Sequence, residues 1–579
     1  MGEGIAVIGR MPGWRLALSL AALAAGLLPA VLAGCKRAAG GPSGSTAAGA
    51  PVHFVDVAPR AGVRFHHTSG ESGRFFLAET MGSGCALLDY DGDGRLDLFL
   101  VNSSRLPGFP QKGPFYPALY HNEGNSQFQE EQAGLAIDCY GMGVAVGDYD
   151  NDGDPDLLLT SFGGSHLFRN DGGHFSEVTR QAGVTQPAWG TSAAWFDYDR
   201  DGWLDLFICN YVRWSSETNR VCGKSGLRYA CTPAEYPATA SVLYHNNRDG
   251  TFTDVTRQAK VDRPNGKALG VVVWDMDDDG WPDFAVANDS QPNWLYRNNR
   301  DGTFTEIGVE SGVAYGAQGR QRAGMGIDTA DYDLSGREAI LIGNLSGEGL
   351  ALFRPTEAAG QYADGAEAAG LFQASLPFTT FGARFFDYDL DGYPDILTAN
   401  GHVNEEVRAT SGTFRYEQRL QLFHNERGPG GGRHFQEVTA SAGEALNQPR
   451  TGRGLAVGDY DGDGDPDVLV TANTGTTLLL QNEGPARGHW LAVKLVGTRS
   501  NREGIGARIR VTAGGRTRTG WIRSGGSYCS DDEHIARFGL GDLTRAERVE
   551  VRWPSGSVEQ RANVSANRVL VIREAGAGA

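Results

Sequence analysis

Asp459, Asp461, Asp463 and Asp467, with Gly464 between the last two, are spaced to wrap one hard cation. Carboxylates at positions 1, 3, 5 and 9 supply oxygens to Ca²⁺, which takes about six to eight of them, and glycine at position 6 allows the sharp turn. The spacing recurs at Asp89/Asp91/Asp93/Asp97, Asp148/Asp150/Asp152/Asp156, Asp197/Asp199/Asp201/Asp205, Asp275/Asp277/Asp279/Asp283 and Asp387/Asp389/Asp391/Asp395. A worn copy, Asp331/Asp333/Ser335, has Ala339 at position 9 and is expected to hold metal poorly. A single acidic window reads equally well as a solvated turn, but six complete copies, each between apolar runs, exclude coincidence. The window is shorter than an EF-hand, lacks its Glu at position 12 and lies between strands, so that reading fails.

These windows must sit on hairpins, and each repeat carries two further strand signals. The third strand is marked by runs such as Leu119-Tyr-His-Asn122 and Leu295-Tyr-Arg-Asn298, and the fourth begins at Phe128, Phe175, Phe252, Phe304, Tyr362 or Phe435. Repeat seven lacks a fourth strand, whereas Phe54-Val-Asp-Val57 ahead of repeat one matches Phe252-Thr-Asp-Val255 and can supply it. Closing a ring this way removes exposed sheet edges. The expected fold is all-β: a seven-bladed β-propeller over residues 53–486, followed by a small C-terminal β-domain over 487–575. Strand signals in the tail lie at 491–496, 507–512, 548–553 and 568–572.

The 70 acidic against 52 basic residues give a net charge of −18, which argues against a nucleic-acid partner. Six divalent ions would offset two thirds of that charge, so the acidity is mostly metal ligand. Residues 1–35 read as an export signal, with Arg10 and Arg15 ahead of an apolar run; a transmembrane anchor is the alternative, opposed by Gly26 and Pro29. Cys222 and Cys231, nine apart in a polar insertion, are expected to form a local disulfide, with two free thiols as the alternative.

The ending Leu32-Ala-Gly-Cys35 resembles a bacterial lipobox. That resemblance implies cleavage before Cys35, lipidation of its thiol, residues 36–52 as a flexible tether and an exported chain anchored in the bacterial envelope, periplasmic or at the cell surface. The D-x-D-x-D-G-x-x-D windows, with an upstream glycine such as Gly143 or Gly454, resemble the FG-GAP (VCBS) repeats of integrin α-subunits. The order of parts is similar to the cartilage acidic protein family, which ends in an ASPIC/UnbV domain. His489-Trp-Leu-Ala-Val-Lys494, Gly504-Ile-Gly-Ala507, Arg523-Ser-Gly-Gly-Ser-Tyr528 and Val551-Arg-Trp-Pro-Ser-Gly556 carry that likeness, and Cys529 to Glu533 depart from it. It implies a secreted or surface calcium-binding protein and no known reaction.

In a four-stranded repeat the metal loops share one face. The insertions at 102–117, 210–241 and 401–419 gather on the other, with the links between repeats. That rim is expected to display Trp189, Trp214, Arg320, Arg322, His402, Arg450 and Arg453 to a glycan or protein, the alternative being that they pack the insertions. Ser527 and His534 beside Asp531 and Asp532 suggest a hydrolase but lack a nucleophile elbow and read as turn residues. The function expected is a non-enzymatic adhesion or interaction module; the alternative is a polysaccharide lyase or hydrolase using His402 or an arginine.

Overall fold

The computed structural model describes residues 52–576 apart from 111, 225, 359, 429 and 485–487. Cys35, the export signal and nearly all of the tether therefore lie outside the described residues. Seven four-stranded antiparallel sheets account for the repeats. Their first strands, which define sheets 1 to 7 in order, are Cys85–Leu88, Tyr140–Gly147, Gly190–Phe196, Ala268–Trp274, Ile327–Ala330, Thr380–Phe386 and Gly452–Gly458. Each lies against the first strand of the next sheet, and that of sheet 7 lies against that of sheet 1. These strands are buried on both faces, which is why apolar and small residues dominate them without alternation, the buried Arg384 and Arg453 being charged exceptions.

The fourth strand of sheet 7 comes from the start of the described chain. His53–Asp56 pairs antiparallel with Leu478–Glu483, His53 opposite Glu483 and Asp56 opposite Leu480. Phe54 is fully buried, its ring 6.3 Å from that of Phe386 and 6.2 Å from that of Tyr388 in sheet 6.

Successive sheets are also joined by the asparagine that ends the third-strand motif. Its side-chain N–H donates to the backbone carbonyl of the loop residue at position 2 in the preceding sheet: Asn122 to Tyr460 (2.9 Å), Asn170 to Tyr90 (2.7 Å), Asn246 to Tyr149 (2.8 Å), Asn298 to Tyr198 (2.8 Å), Asn425 to Tyr332 (2.9 Å) and Asn482 to Tyr388 (2.9 Å). Sheet 5 has Pro355 at this place, so its joint to sheet 4 lacks the bond.

The C-terminal domain has one sheet in which His489–Val496 lies between Ala536–Gly541 and, in parallel, Arg568–Arg573. Its second sheet runs Arg516–Trp521, Arg508–Ala513, Arg545–Arg552, Val558–Ser565. The expected tail strands are all present. Arg516–Trp521, Ala536–Gly541 and Val558–Ser565 went unrecognised, the first and last because polar residues dominate them. Leu491, Val493, Ile509, Val511, Phe538 and Val551 form its core, which is continuous with Trp195 and Ile208 of sheet 3.

Deleting residues 53–57 is expected to lower the melting temperature of the whole ring and promote aggregation, because the edge of Leu478–Glu483 is bared. Deleting 36–50 should do neither. Comparable melting and solubility for the two truncations would refute closure by this strand. Asn298→Leu should cost about 1–3 kcal/mol by leaving the buried Tyr198 carbonyl unpaired, measured by denaturant unfolding against an Asn299→Ala control.

Candidate metal centres

Each complete loop is held by the same backbone geometry. The N–H of the position-6 glycine donates to the position-1 aspartate: Gly94 to Asp89 (3.2 Å), Gly153 to Asp148 (2.8 Å), Gly202 to Asp197 (2.9 Å), Gly280 to Asp275 (2.8 Å), Gly392 to Asp387 (2.8 Å) and Gly464 to Asp459 (3.1 Å). The position-9 aspartates Asp97, Asp156, Asp205, Asp283, Asp395 and Asp467 open the second strands and are essentially inaccessible to solvent. One oxygen of each accepts the N–H of the position-2 residue and the other that of the third-strand asparagine, as Asp283 does from Met276 (3.0 Å) and Asn298 (2.7 Å).

The electrostatics of these loops ask for a cation. Burial first, and then neighbouring carboxylates, push Asp148 up to about 8 and Asp387 well above the usual carboxylate range. Burial also lifts Asp275 and Asp459 to about 6. Buried oxygens of Asp199 and Asp387 have no hydrogen-bond partner. Asp89, Asp91 and Asp93, and likewise Asp148, Asp150 and Asp156, bring ligand atoms within 4.8 Å of one another. These oxygen-only sets fit a hard divalent ion such as Ca²⁺.

The position-5 aspartates Asp152 in sheet 2 and Asp279 in sheet 4 carry further contacts. In sheet 2 Asp148, Asp150 and Asp156 converge, and Asp152 is exposed and caps its own turn by accepting Asp154 N–H (2.9 Å). Asp279 is occupied on both oxygens. One accepts Trp281 N–H (2.8 Å) and the other accepts Nε (2.8 Å) and Nη2 (2.5 Å) of Arg300. The turn Asn299-Arg-Asp-Gly302 carries the Arg300 guanidinium onto the loop, where it pairs with a carboxylate that the spacing offers to metal. Arg248 approaches Asp201 in sheet 3 in the same way (2.7 Å).

Three loops gain an imidazole that the spacing argument missed. Nδ1 of His121, His245 and His424 lies 3.2, 3.2 and 3.1 Å from Asp97, Asp205 and Asp395. Although burial opposes its charge, His424 is pushed up to about 9 by Asp395 and Asp389. The signal was present as the third letter of the Leu-Tyr/Phe-His-Asn run, which marks a strand and equally aims this side chain at the loop. In the worn loop, Glu338 is buried and accepts a hydrogen bond from Trp521 Nε1 (2.7 Å).

The C-terminal domain sits on this face and touches a loop of every sheet. Lys494 lies 3.9 Å from Asp89, Glu503 accepts from Asp148 N–H (2.9 Å), Arg200 donates to the Pro554 carbonyl (2.7 Å) and Arg552 reaches Asp278 (3.0 Å). Beyond Trp521 on Glu338, Gly541 N–H donates to the Leu390 carbonyl (2.9 Å) and Arg537 lies 3.0 Å from Asp459.

Its loop 523–534 enters between the first strands. Asp531 N–H donates to the Cys85 carbonyl (3.0 Å), Val144 N–H to the Cys529 carbonyl (3.1 Å) and Cys529 N–H to Ser192 Oγ (2.9 Å). Ser527 exchanges backbone bonds with Ile327 (2.8 and 2.9 Å), Ala383 N–H donates to Ser527 Oγ (3.3 Å), and Val457 N–H donates to Asp532 (2.8 Å). A Cβ on Gly84 would stand 1.5 Å from the Cys529 carbonyl oxygen, so glycine there makes room for the loop. Ser527, Asp531 and His534 belong to this loop, Ser527 with a φ of 52°; Ser527 and Asp531 are buried against the first strands, and His534 Nδ1 lies 2.8 Å from Glu503.

The opposite rim is largely packed. Trp189 and Trp214 are buried with ring centroids 5.7 Å apart, and Trp214 Nε1 donates to Asn219 (2.9 Å). Arg453 is fully buried, donates to the Thr80 (2.7 Å) and Gly401 (3.0 Å) carbonyls and lies 3.9 Å over Phe381. Arg322 pairs with Asp364 (2.9 Å), and Arg450 is half-buried. His402 accepts from Asn404 N–H (3.1 Å), and burial holds it down at about 4. Arg320 is exposed. These aromatic and guanidinium groups pack the insertions, which need a core of their own, although Trp189 Nε1, Arg322 Nη1 and Arg450 Nε have no hydrogen-bond partner among the described residues. Cys222 and Cys231 are bonded, while Cys85, Cys139, Cys209 and Cys529 are free thiols.

Residues 89–159, 148–208, 275–342 and 387–470 match the family described as FG-GAP-like repeat, and 497–579 match ASPIC and UnbV. The chain is an all-β FG-GAP-repeat protein with an ASPIC/UnbV domain. It is similar to cartilage acidic protein 1 of Homo sapiens, 28% identical over 329 residues (55% of this chain, 46% of the relative), and of Xenopus tropicalis, 26% identical over 325 residues (52% and 44%). The matched stretch spans less than half the length of these relatives. Among solved structures, a fungal lectin from Agrocybe aegerita recognising non-reducing terminal N-acetylglucosamine aligns with TM-score 0.36 at 15% identity, covering 68% of this chain and 86% of the lectin. BBS1N in complex with ARL6DN aligns with TM-score 0.40 at 10% identity, covering 75% and 99%.

Calcium is expected to raise the melting temperature, since an ion bound only to the folded state adds about 2.7 kcal/mol per independent site at a hundredfold excess over Kd. A melting temperature unmoved by chelator would refute this. Anomalous scattering should be strong at Asp459 and weak or absent at Asp331.

Proposed function

We propose that the seven sheets are the blades of a closed seven-bladed propeller, that its six complete loops hold Ca²⁺, and that the chain works outside the cytoplasm as a non-enzymatic interaction module for a glycan or protein, tethered to the envelope through Cys35. The cycle of first-strand contacts and the pairing of His53–Asp56 with Leu478–Glu483 support the closed ring. Calcium would rigidify the loops against which the tail domain rests, each ion replacing the repulsion among clustered carboxylates with coordination.

One observation carries the choice of binding face. The tail domain occupies the metal-loop face and its 523–534 loop fills the axis, which leaves the insertion face for a partner. There a cavity of about 90 Å³ is walled by Leu77, Met81, Leu269, Met325 and Phe381, with Asp289 at its side. Asp289 is buried and accepts from Tyr211 Oη (2.6 Å) and Ser290 Oγ (2.9 Å), so an apolar hollow here holds one oriented carboxylate. Such a hollow suits a ligand with an apolar patch and a hydroxyl or amine donor.

The test presents calcium-loaded protein to a glycan array and to envelope extract, with Asp289→Asn and Arg320→Glu as insertion-face variants. Retention that depends on calcium and falls about tenfold or more in Asp289→Asn is expected. Retention unchanged in both variants would place the partner elsewhere, and product released from the same polysaccharides would favour the lyase or hydrolase reading.

A further inference from the structure

We infer that the cleft between the tail domain and the metal loops of sheets 3 and 4 is a second ligand site, shaped for a carboxylate carried on a flat ring. It lies on the face opposite the insertions and is independent of any partner there. Trp274 and Trp553 line its depth, 1% and 2% exposed, while Trp281 and Trp521 stand partly exposed at its lip.

Three residues of the lining, Trp274, Trp553 and Arg523, each carry a buried N–H with no acceptor: both indole Nε1 atoms and the guanidinium Nε. Buried polar groups in folded proteins are nearly always paired, and three donors on one cleft ask for a guest that offers acceptors. The charge has the same sense. Arg200, Arg508 and Arg552 also line the cleft, against two carboxylates, Asp197 and Asp275. Those two accept from their own loops, at Gly202 N–H (2.9 Å) and Gly280 N–H (2.8 Å), and Asp278 outside the lining engages Arg508 and Arg552. Arg523 lies 3.7 Å from Asp328, so the lining guanidinium with no carboxylate partner among the described residues is that of Arg200, whose Nε donates to the Pro554 carbonyl, and it suits an anion.

Size selects the group. The enclosed space is about 30 Å³, and a water-sized atom needs about 10–15 Å³ of such space. Two oxygens fit there and a ring does not. The ring must rest outside, against the partly exposed Trp281 and Trp521, whose indoles also meet guanidiniums, Arg200 at 5.1 Å from Trp281 and Arg508 and Arg523 at 5.7 and 5.9 Å from Trp521. An aromatic acid, with its flat ring, and a uronic acid, with the apolar C–H face of its pyranose chair, each set a carboxylate beside a face that can rest on an indole.

The experiment titrates the calcium-loaded full chain with benzoate, glucuronate, benzyl alcohol and glucose, following tryptophan fluorescence and heat. At least one acid should bind while its neutral counterpart does not, and the acid that binds identifies the source. Trp274→Phe and Trp553→Phe, which keep a ring and remove the donor, and Arg552→Gln on the exposed lip should each weaken binding about tenfold. If a tryptophan variant fails to fold, Arg552→Gln decides. Absence of binding at millimolar acid, equal binding of acid and neutral compound, or variants of unchanged affinity would overturn the proposal.

Discussion

The structure depends on one buried carboxylate per repeat. The position-9 aspartate begins the second strand, ties down its own loop through one oxygen and orients the third-strand asparagine through the other. That asparagine then reaches the preceding sheet. Metal geometry and sheet-to-sheet packing therefore hang on the same group, buried where an unmade bond is costly. Sheet 5 shows the dependence from the negative side. With Ala339 at position 9 nothing orients an asparagine, and Pro355 stands where the asparagine would be. Loop and joint have lapsed together.

The tail domain compensates where the ring is poorest. Trp521 binds Glu338, Arg523 donates to the Thr329 carbonyl (2.8 Å) and Ser527 bridges to Ile327, all in sheet 5. Elsewhere it sets Lys494, Arg508, Arg537 and Arg552 against an acidic face. An interface between opposite charges that are partly desolvated fixes orientation and register more than it adds affinity. The 523–534 loop adds backbone bonds to six of the seven first strands or their side chains, which makes ring and tail one body.

Much of this was legible in residue order. The Asp-Gly punctuation marked the loops between first and second strands, the Leu-Tyr-His-Asn runs located third strands, and Phe54 with Val57 marked the strand that pairs with Leu478–Glu483, because local turn chemistry and period-2 burial are written in short windows. Spacing did not show the company these aspartates keep: Asp152 and Asp279 share the register of their neighbours, yet Asp152 meets solvent and Asp279 meets Arg300, from a different turn. The union of ring and tail was hidden too, since it rests on contacts between residues such as Cys85 and Asp531 whose proximity follows only from the assembled ring. A partial signal existed in Gly143 and Gly454, which recurred upstream of the loops: a Cβ on Gly143 would meet Cys529 at 2.8 Å. The insertion face was overread for a different reason. Trp189, Trp214 and Arg453 have the composition of a ligand surface, and the same residues serve as well to pack long loops onto each other.

The closing strand and the axial loop come from opposite ends of the described chain. His53 finds Glu483 and Asp531 finds Cys85, so no partial product of translation holds both closures. Contacts of such sequence separation form late and slowly. A nascent chain then keeps the edge of Leu478–Glu483 unpaired until that strand is made and can meet His53–Asp56, and its first strands stay without the 523–534 loop until the tail follows. A product terminated before the tail lacks the 523–534 loop and leaves bare the first strands that the loop would cover, which exposes it to proteolysis.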